Sequence, residues 1–222
     1  MNLKTYFDWL RTQLDEIIEI TPARHGDQSE VFRIETNGGN FFLKIASSLG
    51  KEYENLQLLD GKISVPKVVN FERIEGKDVL LMSAIEGEDL AKLAKVWEPE
   101  KLVRKYAEAL KILHSSPNGE SRGEIMVHGD FCLPNVIFDG DELSGFIDLG
   151  DARIASVEVD LAAAIWSLER NIGKGYGLEF LREYGISNKD EAYVEELWRM
   201  YENDDFDELA KGRSMENILR KQ

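Results

Sequence analysis

Apolar residues recur at three- and four-residue steps through Leu3, Phe7, Leu10, Leu14, Ile17 and Ile18, which predicts a helix over residues 3–19 with one buried stripe. A polar stretch, Thr21 to Glu30, follows, and the period then falls to two. Val31 to Thr36 and Phe41 to Ala46 read as two strands joined by the turn Asn37-Gly38-Gly39-Asn40. Lys51 to Asp60, with Tyr53, Leu56 and Leu59 at helical steps, reads as a short helix stopped by Gly61. Val65 to Phe71 and Asp78 to Ser83 add two strands around the turn Glu75-Gly76-Lys77. Beyond Ile85-Glu86-Gly87-Glu88-Asp89 the pattern is helical up to Asn118, with a stripe of Leu102, Tyr106, Ala109, Leu110 and Leu113. Two short β-prone runs, Val136 to Phe138 and Leu143 to Ile147, flank an Asp-Gly turn and predict a hairpin. Helices are expected over Val159 to Asn171, Leu178 to Tyr184, Glu191 to Tyr201 and Glu208 to Arg220. Strands dominate before residues 83–88 and helices after them. The expected class is therefore α+β, with a small antiparallel-sheet lobe over residues 1–84 and a mostly helical lobe over 85–222.

Composition narrows the partners. The chain has 222 residues, enough for one large domain or two small lobes, and 43% hydrophobic with 9% aromatic residues describes a soluble globular protein. A formal charge of −15 argues against a nucleic-acid partner, whose phosphates call for Lys and Arg. No apolar run reaches the ~18 residues that span a bilayer, so no membrane partner is expected. The acidic amphipathic N-terminus is no signal peptide, which makes the cytoplasm the default location. The single cysteine, Cys132, excludes an internal disulfide framework and reads as a small apolar filler. The acid-rich stretch Glu191 to Glu208 reads as a solvated face that also has the charge to wall a pocket for a cation.

The chemistry concentrates between Met126 and Asp151. Asp130 follows His128-Gly129, Asn135 stands five positions later, and Asp148 thirteen after that. Phosphoryl transfer uses this order: a carboxylate facing the attacking hydroxyl, then an amide and a second carboxylate on Mg²⁺. The predicted hairpin begins just after Asn135 and ends just before Asp148, which brings these two hard oxygen ligands to one end. Taken singly, Asp130 and Asp148 are ordinary turn carboxylates and His128 a core histidine; taken together, HGD-x₄-N, hairpin and IDLG favour the catalytic reading. Upstream, Lys44 lies on an otherwise apolar strand, so it is either a rim residue or a buried cation with a partner. Glu52, in the first turn of the following helix, is that candidate partner, and a strand Lys held by a helix Glu suits the α- and β-phosphates of a nucleotide. The loop Gly26 to Ser29, with one glycine, reads as a plain turn more readily than as a phosphate cover. A nucleotide base is expected against the backbone of Met82, Ser83 and Ala84, where the two lobes join.

Together these segments resemble the aminoglycoside phosphotransferase family, especially its 3′-hydroxyl enzymes, over nearly the whole chain. The resemblance is carried by LKIA around Lys44, KEYENLQLLDGKISVPKVVNFER, VLLMSAIEG, VRKYAEALKILHS, HGDFCLPN and SGFIDLGDARIASVEVDLAAA. It implies a protein-kinase-like two-lobed fold that moves the γ-phosphoryl of ATP or GTP to a hydroxyl of a small molecule. Carried over by position, Asp130 is the catalytic carboxylate, Asn135 and Asp148 hold magnesium, and Lys44 with Glu52 holds the nucleotide phosphates. Glu202, Asp204 and Asp205 stand where the family has an acidic substrate-binding tail. Three departures concern the acceptor. A helical insertion before the HGD loop is missing, Arg170 and Asn171 replace acids that hold antibiotic amines, and 16 residues follow Phe206. The expected acceptor is a hydroxylated cation, with poor turnover of kanamycin-like compounds. Choline, homoserine and sugar kinases share the core and remain competing readings, as does a nucleotide-binding module without catalysis.

Overall fold

The computed structural model describes residues 3–25, 29–115 and 125–203. The chain divides into two compact units, Met1–Ile85 and Glu86–Gln222. Each is taken by itself.

The first unit begins with helix α1 (Leu3–Gln13) and continues through strands β1 (Ile17–His25), β2 (Ser29–Thr36) and β3 (Gly39–Ala46), helix α2 (Gly50–Leu59), and strands β4 (Val68–Ile74) and β5 (Lys77–Ser83). Its five strands form one antiparallel sheet in the order β1-β2-β3-β5-β4. The alternation read in β2 and β3 is real. Phe32 and Ile34 on β2, Leu43 and Ile45 on β3, and Val79 and Leu81 on β5 share a buried cluster with Tyr6 and Leu10 of α1. Because side chains alternate across a strand, Lys44 lies on the opposite face from this cluster.

The helix expected over residues 3–19 is shorter, and its last three residues open a strand. α1 stops at Gln13, Glu16 takes a left-handed backbone with φ 49°, and Ile17 pairs with Thr36 at the start of the β1–β2 ladder. Ile17, Ile18 and Ile20 fit helical spacing by coincidence of number. The edge of β2 offers β-branched residues a ladder of hydrogen bonds, and tertiary pairing overrides the local period.

The second unit contains strand β6 (Glu88–Asp89), helices α3 (Leu90–Leu93) and α4 (Pro99–His114), and strand β7 (Ile125–Val127). A single 3₁₀ turn, Leu133–Asn135, leads into strands β8 (Val136–Asp139), β9 (Glu142–Phe146) and β10 (Arg153–Ala155), followed by helices α5 (Glu158–Ile172), α6 (Gly177–Tyr184) and α7 (Glu191–Glu202). The continuous helical run expected after Asp89 is broken before Pro99, whose fixed φ and missing N–H suit the first position of α4. The predicted stripe of α4 is buried, with Leu102, Tyr106, Ala109, Leu110 and Leu113 among its inward residues. β7 and β10 were absent from the sequence reading. At three residues each, they pair with one another among the described residues, and no alternation is legible over so short a run. The expected helix Glu208 to Arg220 and the turn residues 26–28 lie outside the described residues.

Leu10 is fully buried between α1 and the sheet. Replacing it with Ala is expected to destabilise the protein by about 2–5 kcal/mol, read as a lower urea midpoint at unchanged slope.

Candidate active site

The loop after β7 is built on one buried carboxylate. Asp160, in the first turn of α5, is 0% exposed. Its Oδ2 accepts the His128 N–H at 2.7 Å and the Nε2–H of His114 at 2.9 Å, and its Oδ1 accepts the Gly129 N–H at 2.9 Å. A carboxylate only accepts, so Nε2 of His114 must be the donor. Nδ1 of the same ring meets the Tyr184 hydroxyl at 2.8 Å, and burial first, with the Asp160 charge second, pushes that phenol up to about 12. Gly129 has φ +88°, and a Cβ on it would stand 2.3 Å from the Asp151 carbonyl oxygen. Only glycine passes here. His128 is buried as well; its Nε2 lies 3.0 Å from the Ile147 carbonyl, which requires Nε2–H, and its Nδ1 accepts the Asp130 N–H at 3.4 Å. The histidine thus ties the loop to the end of the β8–β9 hairpin.

Asp130 projects from this pinned turn. Its Oδ2 accepts from Nδ2 of Asn135 at 3.1 Å, and its Oδ1 accepts from the Tyr201 hydroxyl at 2.7 Å and the Cys132 thiol at 3.0 Å. Asn135 Nδ2 also reaches the Asp130 carbonyl at 2.9 Å. Burial first, then the Asp130 charge, raises the Cys132 thiol far above its usual value; burial first, then Cys132, does the same for Tyr201. Both keep their protons and act as donors. Cys132 is a buried filler, as its composition suggested, and also a weak partner of the carboxylate.

Asn135 spends its amide N–H groups on Asp130, which leaves its Oδ1 as the atom suited to a hard cation. The Ile147 N–H donates to the Asn135 carbonyl at 3.0 Å, so Asp148, the next residue, is held at the same end of the hairpin. Asp148 is exposed and has φ 61°, a left-handed conformation that costs a non-glycine residue of order 1–3 kcal/mol and concentrates at functional sites. This pairing of an amide oxygen with a carboxylate fits Mg²⁺, which takes one or two protein ligands and fills its octahedron with water and phosphate oxygens.

In the first unit, Lys44 Nζ lies 2.7 Å from Glu52 Oε2, with side-chain exposures of 12% and 4%. The strand cation and helix acid form a buried ion pair, so neither is a rim residue. Asp78 steadies the start of α2 by accepting the Leu49 N–H at 2.8 Å. At the end of β5, Met82 is paired within the sheet, the Ser83 N–H donates to the Lys67 carbonyl at 2.8 Å, and the Ala84 N–H donates to the Asn40 carbonyl at 2.9 Å. A base docked along this stretch would have to use groups other than these two N–H donors.

Residues 19–126 and 121–197 match the model of a phosphotransferase enzyme family. An aminoglycoside 3′-phosphotransferase of Niallia circulans is 32% identical over 76% of this chain and 85% of its own length. The chain belongs to this phosphotransferase family. Its fold is that of the crystallised aminoglycoside phosphotransferases. The type VIII aminoglycoside-3′-phosphotransferase superposes with a TM-score of 0.71 at 20% identity, over 88% of this chain and 96% of that one. APH(4)-Ia gives 0.70 at 14% identity, over 94% and 95%. This phosphotransferase therefore has the kinase-like α+β fold that its motifs imply.

Of the three acids expected to bind substrate, Glu202 accepts the Trp166 indole N–H at 2.5 Å. Asp204 and Asp205 lie outside the described residues. Arg170 is exposed and stacks over Trp166 at 4.8 Å, and Asn171 donates to the Ser167 carbonyl at 2.8 Å. Sequence reasoning missed Tyr201. Its signal was present: Val194, Leu197 and Tyr201 stand at helical steps on one face of α7, whose Val194 and Leu197 are buried, and a phenol on such a stripe carries a polar tip inward. His114 and Tyr184 were missed for a plainer reason, since their partner Asp160 is remote in sequence.

Asp160→Asn turns one acceptor oxygen into a donor facing N–H groups. The change is expected to destabilise the protein by about 2–4 kcal/mol and to lower phosphoryl transfer as the loop loosens, checked by urea unfolding alongside steady-state turnover.

Proposed function

We propose that this enzyme transfers the γ-phosphoryl group of ATP or GTP to a hydroxyl of a small molecule, with Mg²⁺ held by Asn135 and Asp148. The observation that carries the reading is the Asp130 carboxylate, set on a loop pinned by Asp160 and oriented through Oδ2 by the same Asn135 whose Oδ1 is left for the metal. Asp130 orients the acceptor hydroxyl and takes its proton late, because a loose transition state asks little base strength early on. The acceptor oxygen bonds to the γ-phosphorus, the bond to the bridging oxygen breaks, and the nucleoside diphosphate leaves with that electron pair. Magnesium, when bound, neutralises charge on the phosphate oxygens. Lys44, fixed by Glu52, supplies a cation for the α- and β-phosphates. Residues 1–84 act as the nucleotide-binding lobe and 85–222 as the catalytic and acceptor lobe, with the base against Met82 to Ala84.

The acceptor is an aminoglycoside or a smaller hydroxylated cation. The name of the Niallia circulans relative supports the first. The exposed guanidinium of Arg170 beside Trp166 and Glu202 favours the second, since a cation at that place repels one amine of a polycationic sugar. Two lost carboxylate–ammonium contacts of about 1.5–3 kcal/mol each weaken a polyamine by about a hundredfold or more.

Asp130→Asn is expected to leave nucleotide affinity nearly intact while cutting turnover by two or more orders of magnitude, of order 10²–10⁴. Unchanged turnover at saturating acceptor would remove Asp130 from the chemistry. Asp148→Ala is expected instead to abolish the gain in nucleotide affinity that Mg²⁺ gives, as read by calorimetry with and without the ion. A coupled turnover screen of aminoglycosides beside choline, homoserine and amino sugars at several salt concentrations identifies the acceptor. Preference for a neutral or anionic acceptor would exclude a cationic one.

A further inference from the structure

Among the described residues, Tyr201 is the donor to Asp130 that comes from outside the catalytic segment. Its hydroxyl lies 2.7 Å from Asp130 Oδ1 and 3.3 Å from the Cys132 sulfur. Its ring stands against Trp166 with centroids 4.8 Å apart, and α7 packs along α5, so the reach of the phenol is set by two helices. Asn135 occupies the other carboxylate oxygen. Oδ1 therefore meets a protein hydroxyl at the distance and in the role proper to an acceptor hydroxyl.

We propose that Tyr201 selects the acceptor over water: its hydroxyl holds Asp130 Oδ1 until an acceptor hydroxyl displaces it. This rests on the reading of Asp130 as the catalytic carboxylate. Asp130 left open to solvent would orient water as readily as an alcohol. The water oxygen would then bond to the γ-phosphorus, the bond to the bridging oxygen would break with its electrons leaving on ADP, and the proton would pass to Asp130, wasting the nucleotide. A phenol whose burial keeps it protonated stands in that position as a donor and is a poor nucleophile. An acceptor must offer a hydrogen bond at least as good as the one it replaces, which a bound hydroxyl held by the rest of its molecule does and a free water does not.

The test measures ADP release from ATP with Mg²⁺ and no acceptor, for the full chain and its Tyr201→Phe variant. Phe keeps the ring against Trp166 and removes only the hydroxyl. Acceptor-free hydrolysis is expected to rise roughly tenfold, the factor carried by one charge-assisted hydrogen bond, while the melting temperature stays within a few degrees. A merely structural role would lower hydrolysis along with stability. Tyr201→Gln, which restores an N–H donor, is expected to bring hydrolysis part of the way back. Asp130→Asn and the double variant Asp130→Asn with Tyr201→Phe separate the two readings. Hydrolysis lost in both supports Asp130, and a Tyr201→Phe rate no higher than that of the unchanged protein then overturns the role of Tyr201 alone. Hydrolysis that survives Asp130→Asn overturns the catalytic reading beneath it. Phosphotyrosine at position 201 after incubation with ATP, found by mass spectrometry, would also overturn the proposal, because Tyr201 would then be an acceptor itself.

Discussion

The candidate site depends on the Asp160 carboxylate. Buried without solvent, it would be costly unless fully hydrogen-bonded, and it is: two backbone N–H groups of the HGD turn and the His114 ring converge on its two oxygens. Bonds of this charge-assisted kind contribute about 1.5–3 kcal/mol each. They convert a turn that contains a left-handed glycine, with the backbone of Asp151 against it, into a fixed platform. The first turn of α5 and the last turn of α4 thereby set where Asp130 begins. Loops are ordinarily the adaptable part of a structure; here two helices and a two-stranded pairing hold the loop from beneath.

On that platform the Asp130 carboxylate is divided between two tasks. Oδ2 accepts from Asn135, whose amide ties the carboxylate to the start of the β8–β9 hairpin. Oδ1 accepts from the Tyr201 hydroxyl and the Cys132 thiol. The first unit supplies a different element, the Lys44–Glu52 pair. There, removal of either partner would leave a buried charge unmatched, at about 3–5 kcal/mol.

The surface at the end of α5 is more mixed in charge than the overall −15 suggests. At the end of α5, Arg170 covers the face of Trp166 while the indole N–H is spent on Glu202. Glu195 and Arg199 on α7 pair with each other at i,i+4 spacing, a solvated-face arrangement of small energetic weight.

Much of this was written in local sequence. Alternation in Val31 to Thr36 and Phe41 to Ala46, the stripe of α4, and the Asp-Gly turn between β8 and β9 each depend on neighbours within a few residues. The spacing of Asp130, Asn135 and Asp148 likewise follows from a turn and a hairpin, so their coming together was legible before any fold was known. Ile17 to His25 was not, because its strand exists only by pairing with β2, and its isoleucines satisfy a helical period equally well. Nor were β7 and β10, each too short to show a period. Tyr201 lies 71 positions from Asp130 and His114 lies 46 from Asp160. The sequence by itself determined that Asp130, Asn135 and Asp148 come together, since they sit on one turn and the hairpin that follows it. Only the tertiary structure decided what holds them, because hydrogen bonds to helices distant in sequence leave no periodic trace along the chain.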